Sequence, residues 1–475
     1  MPPTNPLEVQ EIGDLVATYL EGKDLASCVC VSKSWQNTFL PHRWRFVRLE
    51  LMKGEFPVHF GPNRVDIYHH RYLVQDLSLI GETDGVHAYQ YPNLRRLEIY
   101  MLHYKRLEKY DSMDLTEGTP LLVELELTAV ETAPGFWETL SKHRHLRNLK
   151  LRGITVEADD TPGFWETGMN LVSLRTSELY FNEGSRPRNM IFDRLRELSM
   201  TGFDLELDAW QLDLVLQSPL DSLEWEITDL IGISILARNG EWPPIKRLHL
   251  DCDAEDTDWA FMLNGGGNGL GNIVDLRTHG CRFDMEASRA LSIHFSTLVK
   301  VELMNYGMNG YPPLDVLCFC PRLEVLKVLD VLADDIAERG PWACQQLREL
   351  TIYFRFYSLD QDLEQLVFER LSTLSQLEQL TIGYPFPERT CLRERFEFQL
   401  DYGLGQLATL QQLTHLCFNT ERNQVCCPEI GMNDVRWMVD NWKKLKSVKG
   451  RLNSDKEVGG QLVSVFESHG IAVTQ

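Results

Sequence analysis

A six-residue frame, apolar-x-x-apolar-x-apolar, returns along most of this chain. It reads LRRLEI from Leu94, LVELEL from Leu122, LRNLKL from Leu146, LRELSM from Leu195, LDSLEW from Leu220, IKRLHL from Ile245 and IVDLRT from Ile273. It continues as LVKVEL from Leu298, LEVLKV from Leu323, LRELTI from Leu347, LEQLTI from Leu377 and LTHLCF from Leu413, with weaker members at Val74, Leu171 and Leu445. Start-to-start spacings between Leu94 and Leu347 run from 24 to 28 residues and then lengthen to 30, 36 and 32. The alternating end of each frame predicts a short strand with one buried face. The stretches Leu205 to Gln217, Met285 to Phe295 and Met432 to Trp442 place apolar residues three or four apart and predict helices between strands. A unit this small cannot bury its apolar face alone, so neighbours must stack into one continuous core.

The period and frame resemble the leucine-rich repeat, in which the frame forms a parallel strand and the remainder returns outside it as a helix. The Asn or Cys that usually follows such a frame is largely missing. Cys281 holds that place after Ile273, whereas Val130, Ile154, Phe203, Tyr306 and Val331 hold it elsewhere, so irregular turns are expected. The segments Ala133 to Thr139 and Thr161 to Thr167 differ in one residue at a 28-residue offset, and Phe136, Trp137, Phe164 and Trp165 are expected to pack against convex helices.

Asn5 to Trp44 has another rhythm, that of three short helices. Pro6 suits a first helical turn, and Val9, Ile12, Leu15, Val16, Tyr19 and Leu20 follow at helical spacing. Gly22 is expected to stop that helix and Asp24 to open the next, with Leu25, Cys28 and Val29 on its apolar face. Ser32 or Ser34 opens the third, anchored by Trp35 and Phe39 and ended by Pro41. Forty residues bury too little surface to stand alone, so the remaining apolar positions call for a partner.

Charge narrows the partner. Lys plus Arg is 47 against 69 Asp plus Glu, a net of −22, which repels nucleic acid over most of the surface. The stretch Met1 to Asp14 has no basic start and carries Glu8, Glu11 and Asp14, unlike a secretory signal. No apolar run is long enough to span a membrane. The 11 cysteines contain no CxxC pair, and Cys28, Cys30, Cys318 and Cys320 are expected as small buried hydrophobes. An intracellular location, cytoplasmic or nuclear, is expected. The glycine-rich stretch Gly265 to Gly271 fits neither phosphate-binding motif, and the acidic stretch Asp251 to Asp258 lacks the glycine and distant Glu of a calcium loop. Neither His69 with His70 nor His143 with His145 sits in a zinc motif, and no GxSxG elbow occurs. No cofactor, metal site or catalytic residue is therefore expected.

Pro6, Glu8, Val9, Ile12, Leu20, Asp24, Leu25, Val31, Ser32, Lys33 and Trp35 together resemble the F-box, although Asn5 stands where that family commonly has Leu. The stretch Phe39 to Leu51 is similar to the junction of fungal F-box proteins with degenerate repeats. The resemblance implies an α/β protein, with a three-helix F-box over residues 1–45 and a leucine-rich-repeat solenoid over 46–475. That solenoid would have about 15 repeats, the last ones longer, a curved parallel sheet and convex-side helices. It also implies a substrate-recognition subunit of a Skp, cullin and F-box ubiquitin ligase, with no catalysis of its own. Pro6, Leu7, Val9, Ile12, Leu20, Leu25, Val31, Ser32 and Trp35 would meet the Skp-family adaptor.

A protein substrate would lie on concave strand positions such as Lys150, Arg152, Arg175, Glu226, His249, Arg277 and Tyr353. Among these, Lys150, Arg152 and Arg175 form a basic cluster suited to an acidic or phosphorylated segment. The competing reading is a non-catalytic repeat scaffold unconnected with ubiquitination.

Overall fold

Every one of the fifteen frames becomes a strand that begins two residues after the frame's first apolar side chain. The computed structural model describes residues 10–51, 69–81, 90–106, 118–181, 192–202, 214–227, 242–252, 254–264, 270, 272–280, 283–304, 311–328, 331–356, 361–383, 396–419 and 428–474. The chain forms two compact units, Met1–Phe203 with Asp208–Leu220, and Asp204–Leu207 with Asp221–Gln475.

The first unit opens with α1 (Gln10–Ala17), α2 (Gly22–Val29) and α3 (Lys33–Arg45). Its strands are β1 (Phe46–Leu51), β2 (Asp76–Gly81), β3 (Arg96–Arg106), β4 (Glu124–Glu131), β5 (Asn148–Val156), β6 (Ser173–Phe181) and β7 (Glu197–Thr201). They pair in sequence order, all parallel. Helices α4 (Phe136–Ser141) and α5 (Thr161–Gly168) lie between strands.

The second unit carries β8 (Ser222–Ile227), β9 (Arg247–Cys252), β10 (Asp275–His279), β11 (Lys300–Met304), β12 (Val325–Val328), β13 (Val331–Leu332), β14 (Glu349–Ile352), β15 (Phe354–Arg355), β16 (Gln379–Gly383), β17 (His415–Asn419), β18 (Ser447–Lys449) and β19 (Ala472–Thr474). Here too the strands are parallel neighbours in order, except that β13 and β15 pair only with each other. Its helices are α6 (Asp256–Asn264), α7 (Met285–Leu291), α8 (Tyr311–Phe319), α9 (Ala333–Glu338), α10 (Gln361–Ser372), α11 (Met432–Asn441) and α12 (Lys456–Ser468). The helices expected near residues 285 and 432 are thus present as α7, which runs on into a 3-10 turn at Ser292–His294, and α11. Most of the one expected from Leu205 lies outside the described residues. No helix among the described residues is long and apolar enough to cross a membrane.

One hydrogen-bond pattern joins successive repeats. The carbonyl of the frame's second residue accepts two backbone N–H groups from the next repeat. The Arg95 carbonyl takes Val123 (2.8 Å) and Glu124 (2.9 Å), and Val123 takes Arg147 (2.8 Å) and Asn148 (3.0 Å). The same fork recurs where Val274 takes Val299 and Lys300, and where Glu324 takes Arg348 and Glu349. Behind it, the first, fourth and sixth frame positions are buried. Leu122, Leu125 and Leu127, or Leu298, Val301 and Leu303, are at most 1% exposed, and each such side chain stabilises the fold by roughly 1.5–3 kcal/mol.

The chain bends more regularly than the missing Asn suggested, within β4, β5 and β6 and at or just after the ends of β2, β7 and β10. The eighth residue of six repeats, counting the frame's first as one, adopts a left-handed backbone: Gly81, Ala129, Gly153, Glu178, Gly202 and Gly280, with φ between 54° and 94°. That conformation costs Ala129 and Glu178 on the order of 1–2 kcal/mol. It turns the following residue inward, so Val130, Ile154 and Leu179 are buried where a polar turn residue was expected.

Three local expectations are corrected. Pro41 lies inside α3 and does not end it; packing of Phe39 and of Trp44, both nearly fully buried, carries the helix past the missing N–H. Gly22 does not stop α1, which ends at Ala17, but is the first residue of α2, whose N-cap is Glu21, so Asp24 lies in its first turn and does not open it. Cys30 is exposed at the end of α2, whereas Cys318 and Cys320 are buried as expected.

The near-identical segments pack as a ring chain. Trp137 meets Phe164 edge-on at 4.8 Å, Phe164 meets Trp165 at 4.9 Å, and Trp165 stacks on Phe181 at 5.5 Å. Space for the second copy is made at Gly163, where a Cβ would lie 2.5 Å from the Glu138 nitrogen. Carboxylates also tie repeats together. Asp256 accepts the backbone N–H groups of Asp284, Glu286 and Ala287 at 2.8–2.9 Å, capping α7 from the preceding repeat. Asp160 reaches back to the Gly135 N–H at 2.7 Å, and Asp434 to that of Leu400 at 2.9 Å.

Two stability outcomes are expected. Gly163→Ala forces α4 and α5 apart and should lower stability by about 1–3 kcal/mol, read as an earlier first transition in urea. Glu364 is buried among apolar side chains, and burial pushes its carboxyl from 4.5 to about 7, although Oε1 accepts the Glu397 N–H at 3.4 Å. The folded carboxyl therefore keeps its proton where the unfolded one has lost it, and stability falls as pH rises from about 4.5 to about 7. Glu364→Gln removes that loss, so its Tm should exceed the parent's at pH 8 and match it near pH 5. The gain is at most about 3 kcal/mol at ~1.4 per pKa unit.

Candidate protein-interaction surfaces

The helical module is built around Ala17, Leu25 and Phe39, with Val16, Leu20, Cys28, Val29 and Trp35 packed against them. Trp35 and Phe39 have ring centroids 5.4 Å apart. Ser32 accepts the Trp35 N–H at 3.2 Å and is the N-cap of α3. His42 joins α3 to α1 through a 2.7 Å contact with Asp14, and that hydrogen bond holds the Asp14 carboxyl below its usual value.

The apolar residues of the first helix therefore divide between two faces. Val16, Ala17 and Leu20 turn inward. Ile12, Leu15 and Tyr19 remain outside at 39%, 60% and 82% exposure, and Val31 after α2 is 62% exposed. Ile12 and Leu15 share one side of α1, and with Tyr19 in the turn that follows the helix they form an uncovered apolar strip.

Of the residues matched to an adaptor contact, Ile12 and Val31 are surface-exposed, Leu20 and Trp35 are half-buried, and Ser32 is exposed and engaged as a cap. Leu25 lies in the core of the module, where it packs α2 against its neighbours. Pro6, Leu7 and Val9 lie outside the described residues. Leu15 and Tyr19 were not matched, because helical spacing alone does not say which of two adjacent apolar rows faces inward.

The second surface is the face of the strands opposite the core. In the first unit, Arg96 meets Glu98 (2.5 Å), Glu124 (3.7 Å) and Glu126 (3.9 Å), and Lys150 meets Glu124 (3.1 Å) and Glu126 (3.4 Å). Arg175 pairs with Glu197 at 3.8 Å. The basic cluster is consequently not a free cationic patch. Two of its three members, Lys150 and Arg175, face carboxylates on adjoining strands, and Arg152 is exposed beside them.

In the second unit, Arg277 binds Asp275 (3.1 Å) and approaches Glu302 (3.9 Å), while Lys300 and Lys327 reach Glu302 at 3.0 and 3.4 Å. Lys327 also meets Glu349 at 2.9 Å. Burial opposes ionisation of Glu302, yet Lys300, Lys327 and Arg277 around it hold its carboxyl below the usual value. The hydrogen bonds that Arg277 donates to the Asp275 carboxylate push its pKa above the ordinary value. His249 sits 3.3 Å from Glu224, and its ring lies 5.7 Å from that of His279. Glu226 and Tyr353 are half-buried at the strand ends of this unit, Glu226 opposite Asp251 on β9.

Opposite charges thus sit on neighbouring strands, each exposed pair contributing about 0–1 kcal/mol. The pattern makes a polar surface on which many charges are already paired within the fold. Among the described residues no three His, Cys, Asp or Glu side chains converge as metal ligands. Asp256, within the stretch compared with a calcium loop, instead caps α7.

No family model matches the chain, and no curated protein matches it either. Solved structures do. The chain is similar to an internalin from Listeria monocytogenes at 13% identity, covering 94% of this chain and 98% of that one, with a TM-score of 0.37. It is similar to the yeast Rad7 and Elc1 complex structure at 12% identity, covering 93% and 88%, with a TM-score of 0.37. It is also similar to the complex of TLR13 with ssRNA13 at 12% identity, covering 92% and 65%, with a TM-score of 0.39.

Proposed function

We propose that this chain is a non-catalytic substrate receptor of a Skp, cullin and F-box ubiquitin ligase. The helical module would dock on the Skp-family adaptor, and the polar strand faces would hold a protein substrate. The observation that carries the reading is the strip Ile12, Leu15, Tyr19 and Val31, apolar and uncovered on a module whose inner face is already filled. Exposed apolar rows of this kind mark protein contacts. Such a subunit needs no reactive group of its own. It acts by proximity, raising the effective concentration of substrate lysines near a ubiquitin-conjugating enzyme.

Coexpression with a Skp-family adaptor tests the proposal. The full chain is expected to co-elute with adaptor and cullin in size-exclusion chromatography, and Leu15→Asp with Tyr19→Asp to abolish co-elution with an unchanged circular dichroism spectrum. Binding of adaptor without cullin would favour the scaffold reading, and a folded parent chain that binds neither would end the ligase assignment.

A further inference from the structure

The second unit has an apolar opening on its helical side, away from its own strand faces. It lies between α7 with its following 3-10 turn and α8, and encloses about 630 Å³, a volume in the range of binding clefts, about 300–1,000 Å³. Met285 and Phe319 form its edges at 62% and 55% exposure, and the rings of Phe295 and Phe319 stack at 6.0 Å with planes 10° apart. Next to it, Ile293 is 61% exposed. One repeat earlier the helices close up, with Trp259, Met262, Leu263, Ala287 and Leu291 all buried to 1% or less.

The polar groups of the groove are unevenly engaged. At its floor, Asp315 accepts from the Ser288 hydroxyl at 3.1 Å and from Arg339 at 2.5 Å, so this acid and this cation satisfy each other. Arg289 also lines the groove, is exposed, and has no ion-pair partner among the described residues. The opening is therefore an apolar slot with one unmatched positive charge, on a chain whose net charge is −22.

We propose that this groove binds a short segment of a partner protein in which a large apolar side chain is flanked by carboxylates. The apolar side chain enters between Met285 and the Phe295–Phe319 pair, and a flanking carboxylate meets Arg289. The charge settles the flanks: acidic residues complement Arg289, whereas basic ones add to it. The site shares no residue with the adaptor strip, so it goes beyond the ligase reading and stands or fails independently of it.

Fluorescence anisotropy on the full chain supplies the test. The probes are labelled seven-residue peptides with a central Phe, Leu or Trp, flanked on both sides by either Asp and Glu or by Lys. Acid-flanked peptides are expected to bind at least tenfold tighter than lysine-flanked ones, with the preference weakening as salt rises. Phe319→Ser should weaken them at least tenfold, and Arg289→Glu should reverse the flank preference. Both side chains are exposed, and matching Tm values would confirm that each variant folds; should Phe319→Ser unfold, Arg289→Glu alone decides. Equal binding of both peptide sets, no binding up to millimolar peptide, or binding untouched by either variant would overturn the proposal. Concentration-dependent dimerisation lost in Phe319→Ser would also overturn it, by assigning the groove to a second copy of this chain.

Discussion

Every parallel strand here leaves an unpaired edge until the next repeat arrives, and the forked acceptor at the frame's second residue closes it. One carbonyl holding two N–H groups of the following repeat sets the register of that strand. The register sets which residues face the core, because a slip of one position would invert the whole alternation. Filled cores, left-handed turns and paired charges on the open face all depend on that alignment.

The alignment also governs what the open faces present. Glu124 and Glu126 meet Arg96 and Lys150, and Glu302 meets Arg277, Lys300 and Lys327, only because consecutive frames are matched residue for residue. The outcome is a surface on which these opposite charges offset one another. Recognition on such a surface rests on many modest contacts, whereas the apolar strip of the helical module and the groove beside α8 concentrate theirs in a few side chains.

All fifteen frame strands were legible because alternation of apolar and polar residues is a local signal. The strand Ala472–Thr474 was not, since it is short and lacks the frame. The left-handed turn residues were partly legible: Gly81, Gly153, Gly202 and Gly280 stand at one fixed distance after a frame, but Ala129 and Glu178 hold the same conformation without the residue that announces it. Pairing of Lys150 with Glu124 and Glu126 on the adjoining strand was hidden, because it depends on register across repeats some 24 residues apart. The inward and outward rows of α1 could not be told apart for a similar reason: both are apolar, and only the packing of Phe39 distinguishes them.

The carboxylate caps carry a consequence for how such an array grows. Asp256 closes the helix of the repeat after its own, and Asp160, immediately before the second of the two near-identical segments, closes the one before. A repeat copied or deleted singly would strand either an acid without its amides or a helix end without its acid. At these points a repeat therefore depends on one particular neighbour, and not on any unit that carries the same frame.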